Sequence, residues 1–235
     1  MTSTHWVTGK RRLFLLGILC PVAVFSQTTH ISKHIPPPPE NTGGYGEKIT
    51  QWETSYTPAT QQLGFSATMS SDAVGDDGFW MVLSDGPNPG GILNQLAILY
   101  GDASNGTITA YQYNGENDNL SWTNPDAHLG NYHGALQVNA AGNGLSFDIN
   151  VASINEIDLG PDWEGIGFGE AIGIWYHPMG SATYGYDSSG KITSLSQTNS
   201  GWFDGKNFTT QSIPEPSTAL LGAILASACF FRRNR

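Results

Sequence analysis

A two-residue alternation of apolar and polar side chains, repeated between glycine-rich turns, most limits how this chain can fold. In its cleanest stretch Leu145, Phe147, Ile149 and Val151 alternate with Ser146, Asp148 and Asn150. Successive strand side chains point to opposite faces, so this pattern makes a strand with one face in a core and the other in water. Leu63, Phe65, Ala67 and Met69 repeat it against Gly64, Ser66 and Thr68. Gly78 to Ser84 differs, because Phe79, Met81 and Leu83 on one face are matched by Trp80 and Val82 on the other. That predicts a central strand covered on both sides. Leu96–Tyr100 and Thr107–Tyr113 flank Ser104-Asn105-Gly106, and Ala135–Val138 and Leu145–Val151 flank Ala141-Gly142-Asn143-Gly144. Both read as hairpins, since Asn and Gly accept positive φ at low cost.

Ala171–His177, Ala182–Tyr186 and Lys191–Leu195 continue the series, with His177-Pro178 ending the first and Asp187-Ser188-Ser189-Gly190 turning between the others. No helical period of useful length interrupts these eight or nine strands. Regular spacing of that kind predicts an all-β antiparallel sandwich or barrel over residues 63–212. The 29 glycines fit its turns, and Trp52, Trp80, Trp122, Trp163, Trp175 and Trp202 supply burial in place of disulfides. Ahead of that domain, residues 27–62 read as a tether with Pro36–Pro39 in polyproline II conformation, then a first strand over Ile49–Tyr56 that brings Trp52 to the core.

Charge is distributed as unevenly as hydropathy. Between Gln27 and Ile213 there are four lysines, no arginine and 19 acidic residues, a net of −15, against −10 for the whole chain. Nucleic-acid binding is excluded, because phosphate neutralisation needs clustered Lys and Arg. The same acidity predicts repulsion from anionic polysaccharide unless cations bridge the two. The remaining six cations sit at the ends.

Lys10-Arg11-Arg12 precedes an apolar run from Leu13 to Phe25, closed by Ser26. A basic region, a short apolar stretch and a small-residue cleavage site make residues 1–26 a signal peptide with its signal helix. At the other end Pro214-Glu215-Pro216 is followed by apolar residues 217–231 and then Arg232-Arg233-Asn234-Arg235. Fifteen residues at 1.5 Å each give a transmembrane helix of about 22 Å, short of a ~30 Å hydrocarbon core. The prolines stop it from extending backward, and the arginines hold its end on the cytoplasmic side. A marginal span of this kind suits a temporary anchor. The two cysteines, Cys20 and Cys229, both lie in these end segments, so the middle carries no disulfide.

Pro214, Glu215 and Pro216, the short apolar helix, and Arg232, Arg233 and Arg235 together resemble the PEP-CTERM sorting signal of Gram-negative bacteria, over residues 213–235. The resemblance implies recognition by an exosortase-type membrane protease, cleavage near the motif, and delivery to the cell surface or exopolysaccharide matrix. The runs Gly78 to Pro89, Ile174-Trp175-Tyr176-His177-Pro178 and Gly201-Trp202-Phe203-Asp204-Gly205 are similar to the extracellular domains of many such proteins. Those domains resemble concanavalin A-like jelly rolls, which implies a fold and not an activity.

Four kinds of chemistry have candidate residues in this chain. Glu156-Ile157-Asp158-Leu159 resembles the start of a laminarinase-type glycoside hydrolase motif on a jelly-roll strand. Retaining hydrolysis needs a second carboxyl about 5–5.5 Å away, and Gly160 and Pro161 stand where that glutamate belongs. The expectation is therefore no enzyme. Asp72, Asp76, Asp77, Asp85 and Asn88 offer oxygen ligands for a structural Ca²⁺ but lack EF-hand spacing; no other cofactor is expected. His128, His133 and His177 show no zinc-site spacing. Carbohydrate binding is the stronger candidate, since sugars stack on aromatic rings while Asp and Asn bond their hydroxyls. Trp122, Trp163 and Trp202 lie in polar, loop-like surroundings suited to that role, whereas Trp80 and Trp175 sit within strands and read as core. The expectation is an exported surface or matrix protein with a non-catalytic structural or adhesive role beside extracellular polysaccharide.

Overall fold

The computed structural model describes residues 29–34, 42–43, 48–57, 59–70, 77–84, 97–116, 119–161, 163, 165–166, 173–197, 199–200 and 202–203. Strands dominate: β1 (Thr29–His34), β2 (Thr42–Gly43), β3 (Ile49–Thr57), β4 (Gln62–Met69), β5 (Gly78–Ser84), β6 (Ala97–Asp102), β7 (Thr107–Gln112), β8 (His128–Tyr132), β9 (Gln137–Val138) and β10 (Gly144–Asn150). After a single helical turn, α1 (Ala152–Asn155), come β11 (Gly173–Gly180), β12 (Thr183–Tyr186), β13 (Ile192–Ser196), β14 (Asn199–Ser200) and β15 (Trp202–Phe203). Among the described residues no helix is long and apolar enough to cross a membrane. Residues 1–26 and 213–235 lie outside the described residues.

Two antiparallel sheets form the body. One has the order β1-β3-β4-β10-β9 and the other β14-β11-β5-β6-β7-β8. The alternating residues of β4 and β10 fall where their period requires: Leu63, Phe65, Leu145, Phe147 and Ile149 are buried and meet Phe79, Met81, Leu99, Ile108, Ile174 and Tyr176 of the second sheet. Phe65 and Phe79 each lie within stacking distance of Phe147, at 5.6 and 5.9 Å between ring centres. Gly101 faces Phe79 across the β5–β6 ladder. A Cβ at that glycine would stand inside the van der Waals envelope of the Phe79 ring, so the absence of a side chain lets the ring lie flat on the strand.

The six-stranded sheet is covered on both faces, as the double-sided apolar pattern of β5 requires. Trp80, Val82, Ile98, Tyr100, Tyr111 and Met179 point away from the first core into a second cluster. The separate β12–β13 hairpin and the turn around Trp122 pack over it. No sheet ladder joins this hairpin to the six-stranded sheet; side-chain hydrogen bonds do. The Tyr184 hydroxyl donates to the Gly101 carbonyl at 2.9 Å, and the Ile192 N–H donates to the Tyr111 hydroxyl at 2.8 Å.

Two expectations need correction. First, residues 29–34, read as part of the tether, form β1 and pair with β3, the strand expected over Ile49–Tyr56, which in turn pairs with β4. The Pro36–Pro39 run and the side chain of Trp52 lie outside the described residues. Second, His177-Pro178 does not end its strand: Pro178 and Met179 remain paired with Phe79 and Gly78. On the other flank of β11, among the described residues, only Met179 and Gly180 are paired, so a proline at 178 is compatible with the sheet. β8 has no counterpart among the strands expected from sequence, since it carries no alternating signal: only Leu129 of its five residues is buried.

Tyr176 is fully buried between the sheets, and its hydroxyl has no hydrogen-bond partner among the described residues. Desolvation drives its pKa far above the ordinary tyrosine value. A buried hydroxyl without a partner costs stability, so Tyr176→Phe is expected to stabilise the protein by about 1 kcal/mol. Urea denaturation checks this: the midpoint rises at unchanged slope, and a fall would show that the hydroxyl is satisfied.

Candidate functional site

Tight turns bring the polar residues of the body together. In the β6–β7 hairpin Asp102 is buried; its Oδ1 accepts from the Ser104 N–H at 3.0 Å and the Ser104 hydroxyl at 2.6 Å. Asn105 Oδ1 accepts from the Thr107 N–H at 2.9 Å, and Gly106 takes φ of +69° to close the turn. The Asp187–Gly190 turn is built the same way. Asp187 Oδ1 accepts from the Ser189 N–H at 2.8 Å, the Ser189 hydroxyl at 2.7 Å and the Lys191 N–H at 3.0 Å. The Ser189 hydroxyl, then the Lys191 N–H, hold this carboxyl below the usual range, so it is an ionised acceptor at neutral pH.

Tertiary packing sets these two turns side by side. The Leu136 N–H donates to the Gly106 carbonyl at 3.0 Å, which draws the chain after β8 onto the first turn. There His133 Nδ1 lies 3.3 Å from the Thr107 hydroxyl. The Tyr186 hydroxyl donates to Asp102 Oδ2 at 3.2 Å and fastens the second turn to the first. Burial and then the charge of Asp102 push the Tyr186 phenol well above its ordinary pKa, with Thr109 and Asn105 pulling the other way. It stays a neutral hydrogen-bond donor. Between these groups lies a cleft of about 480 Å³ lined by Asn105, Thr107, His133, Tyr186 and the Asp187–Gly190 turn.

Of the residues singled out from sequence, His133 lines this cleft and the tryptophans lie elsewhere. Trp122 sits in a 3-10 turn, Ser121–Thr123, and packs partly buried against the second cluster. Trp163 packs partly buried against the first. Each indole N–H is buried without a hydrogen-bond partner among the described residues, and the six-stranded sheet separates the two rings. Trp202 is placed in β15 beside Gly43 of β2; its side chain lies outside the described residues. No shared platform of Trp122 and Trp163 is formed.

Glu156 follows α1, and Asp158 lies in a loop where its Oδ1 accepts from the Gly160 N–H at 3.0 Å. Neither is on a strand, so the same-face geometry expected of that pair is not realised. Of the calcium candidates only Asp77 is described, and it accepts from the Ser181 N–H. Among the described residues no group of three His, Cys, Asp or Glu side chains could hold a metal ion. Pro214, Glu215, Pro216, Arg232, Arg233 and Arg235 lie outside the described residues.

Asn105 and Asp187 were legible only as turn formers, and His133 only as an unpersuasive zinc ligand. Their convergence has no local signal, because it depends on how the β12–β13 hairpin lands on the sheet. The fold and cleft define a mostly antiparallel β-protein with two stacked sheets and a hydrogen-bonding surface cleft. Comparison with family models, with curated proteins and with solved structures yields no match to this chain.

Proposed function

We propose that this protein is exported and sorted by a PEP-CTERM signal to the cell surface or extracellular matrix, and that it serves there as a non-catalytic structural or adhesive component. In this reading its sandwich is jelly-roll-like and related in form to concanavalin A-like domains. The observation that carries the proposal is the placement of charge. Every arginine lies at the two ends, beside an apolar run, and the body between them has a net charge of −15. A body free of arginine and cysteine, with two layers of buried aromatic rings, suits life outside the inner membrane without disulfides. The loop positions of Glu156 and Asp158 support a role without glycoside hydrolysis. The partners are an exosortase-type protease during sorting and extracellular polysaccharide afterwards.

Cell fractionation in a Gram-negative host that carries an exosortase-type protease tests this reading. Antibody against the β-body should find it in the surface or matrix fraction, with a mass lacking both terminal segments. Replacing Arg232, Arg233 and Arg235 together by alanine should leave it uncleaved in the membrane fraction. Untrimmed chain free in the cytosol would overturn the proposal.

A further inference from the structure

We propose that the cleft between the β6–β7 turn and the Asp187–Gly190 turn binds a neutral, polyhydroxylated ligand, a single glycosyl unit of a longer sugar chain. Its volume of about 480 Å³ falls within the ~300–1,000 Å³ of small-molecule sites. The lining chemistry narrows the class. Among the described residues no lysine or arginine lines it, so a phosphate, sulfate or carboxylate ligand would find His133 as the one basic side chain there and would face the ionised Asp187. No large aliphatic side chain lines it either, which disfavours a lipid tail. What remains is a dense set of hydrogen-bonding groups around two rings, the Tyr186 phenol and the His133 imidazole: the Asn105 amide, the Thr107, Ser188 and Ser189 hydroxyls and the Asp187 carboxylate. Alternating hydroxyls over an apolar ring face are the complement of that set.

The cleft is also held in shape before any ligand arrives. Asp102 Oδ2 accepts the Tyr186 hydroxyl, and both turns are closed by their own Asx bonds, so little ordering remains to oppose binding. This inference builds on the polysaccharide-associated reading above but assigns the contact to these residues and not to Trp122, Trp163 or Trp202. Failure of sugar binding leaves sorting to the surface untouched, and failure of sorting leaves the cleft chemistry untouched.

The test is saturation-transfer NMR on the full chain in mild detergent, with glucose, galactose, mannose and N-acetylglucosamine as neutral probes and glucuronic acid as the anionic one. At least one neutral sugar should bind, with glucuronic acid weaker. Asn105→Asp, which keeps the acceptor for Thr107 but removes the amide donors, should weaken binding at least tenfold. Ser188→Trp, at an exposed turn position, should abolish it by filling the cleft while thermal unfolding stays unchanged. Trp122→Phe and Trp163→Phe should bind as the parent does. No binding by any neutral probe overturns the proposal. So does binding that survives both cleft variants, or that is lost with either tryptophan.

Discussion

Phe79→Ala is expected to destabilise the folded protein by about 3–5 kcal/mol, the usual cost of truncating a fully buried aromatic ring. The ring has no exposed surface and lies between the sheets, 5.6 Å from Tyr176 and 5.9 Å from Phe147. It also covers Gly101 on the neighbouring strand, so its loss opens space on two sides at once. Neither neighbour can collapse into that space easily. Gly101 has no side chain to offer, and Phe147 is already packed against Phe65. A domain of this size has about 5–15 kcal/mol of stability in total, so the variant should retain only a small margin. Chemical denaturation measures it. A loss below about 1 kcal/mol would show that the two sheets do not share the core described above.

Acid should weaken the protein through one histidine. His177 stacks on Trp80 with ring centres 4.4 Å apart and planes at 13°, and Trp175 meets the same indole edge-on at 4.6 Å. Its Nδ1 is buried without a hydrogen-bond partner among the described residues. Desolvation lowers its pKa from 6.5 to about 4. The unfolded chain therefore takes up this proton first as pH falls, and stability drops across the window from about 6.5 to 4. Once both states are protonated the loss is complete, on the order of 3 kcal/mol from this group alone. His128 is shifted in the same direction, again by burial, and adds to the slope. His177→Phe keeps a ring against Trp80 and removes the titration. Denaturation midpoints from pH 7 to 4 should fall less steeply for that variant than for the parent, and parallel curves would exclude His177 as the source.

The sandwich was legible where a strand keeps one face dry. The even spacing of Leu63, Phe65 and Ala67 fixes which face of β4 is buried, and the structure buries that face. The doubly apolar run of β5 likewise announced a strand with neighbours on both sides, and β11 and β6 flank it. The Asn105-Gly106 turn could be read because its chemistry is local: one side chain bonds a backbone N–H two residues away. β8 was missed because Leu129 is its one buried residue and the rest is partly exposed. The β12–β13 pair was seen, but its place was not. Nothing in Thr183–Tyr186 tells whether it extends a sheet or covers one.

Local sequence thus decided which segments become strands, where they turn, and which face of each is apolar, because these depend on side-chain period and on the φ each residue tolerates. The partners of those faces were decided only in three dimensions. Tyr184 and Tyr186 reach Gly101 and Asp102 across more than 80 residues of chain, and those bonds bring the turns of the cleft together. Such pairing depends on the sum of many weak long-range contacts, which no short window of sequence contains.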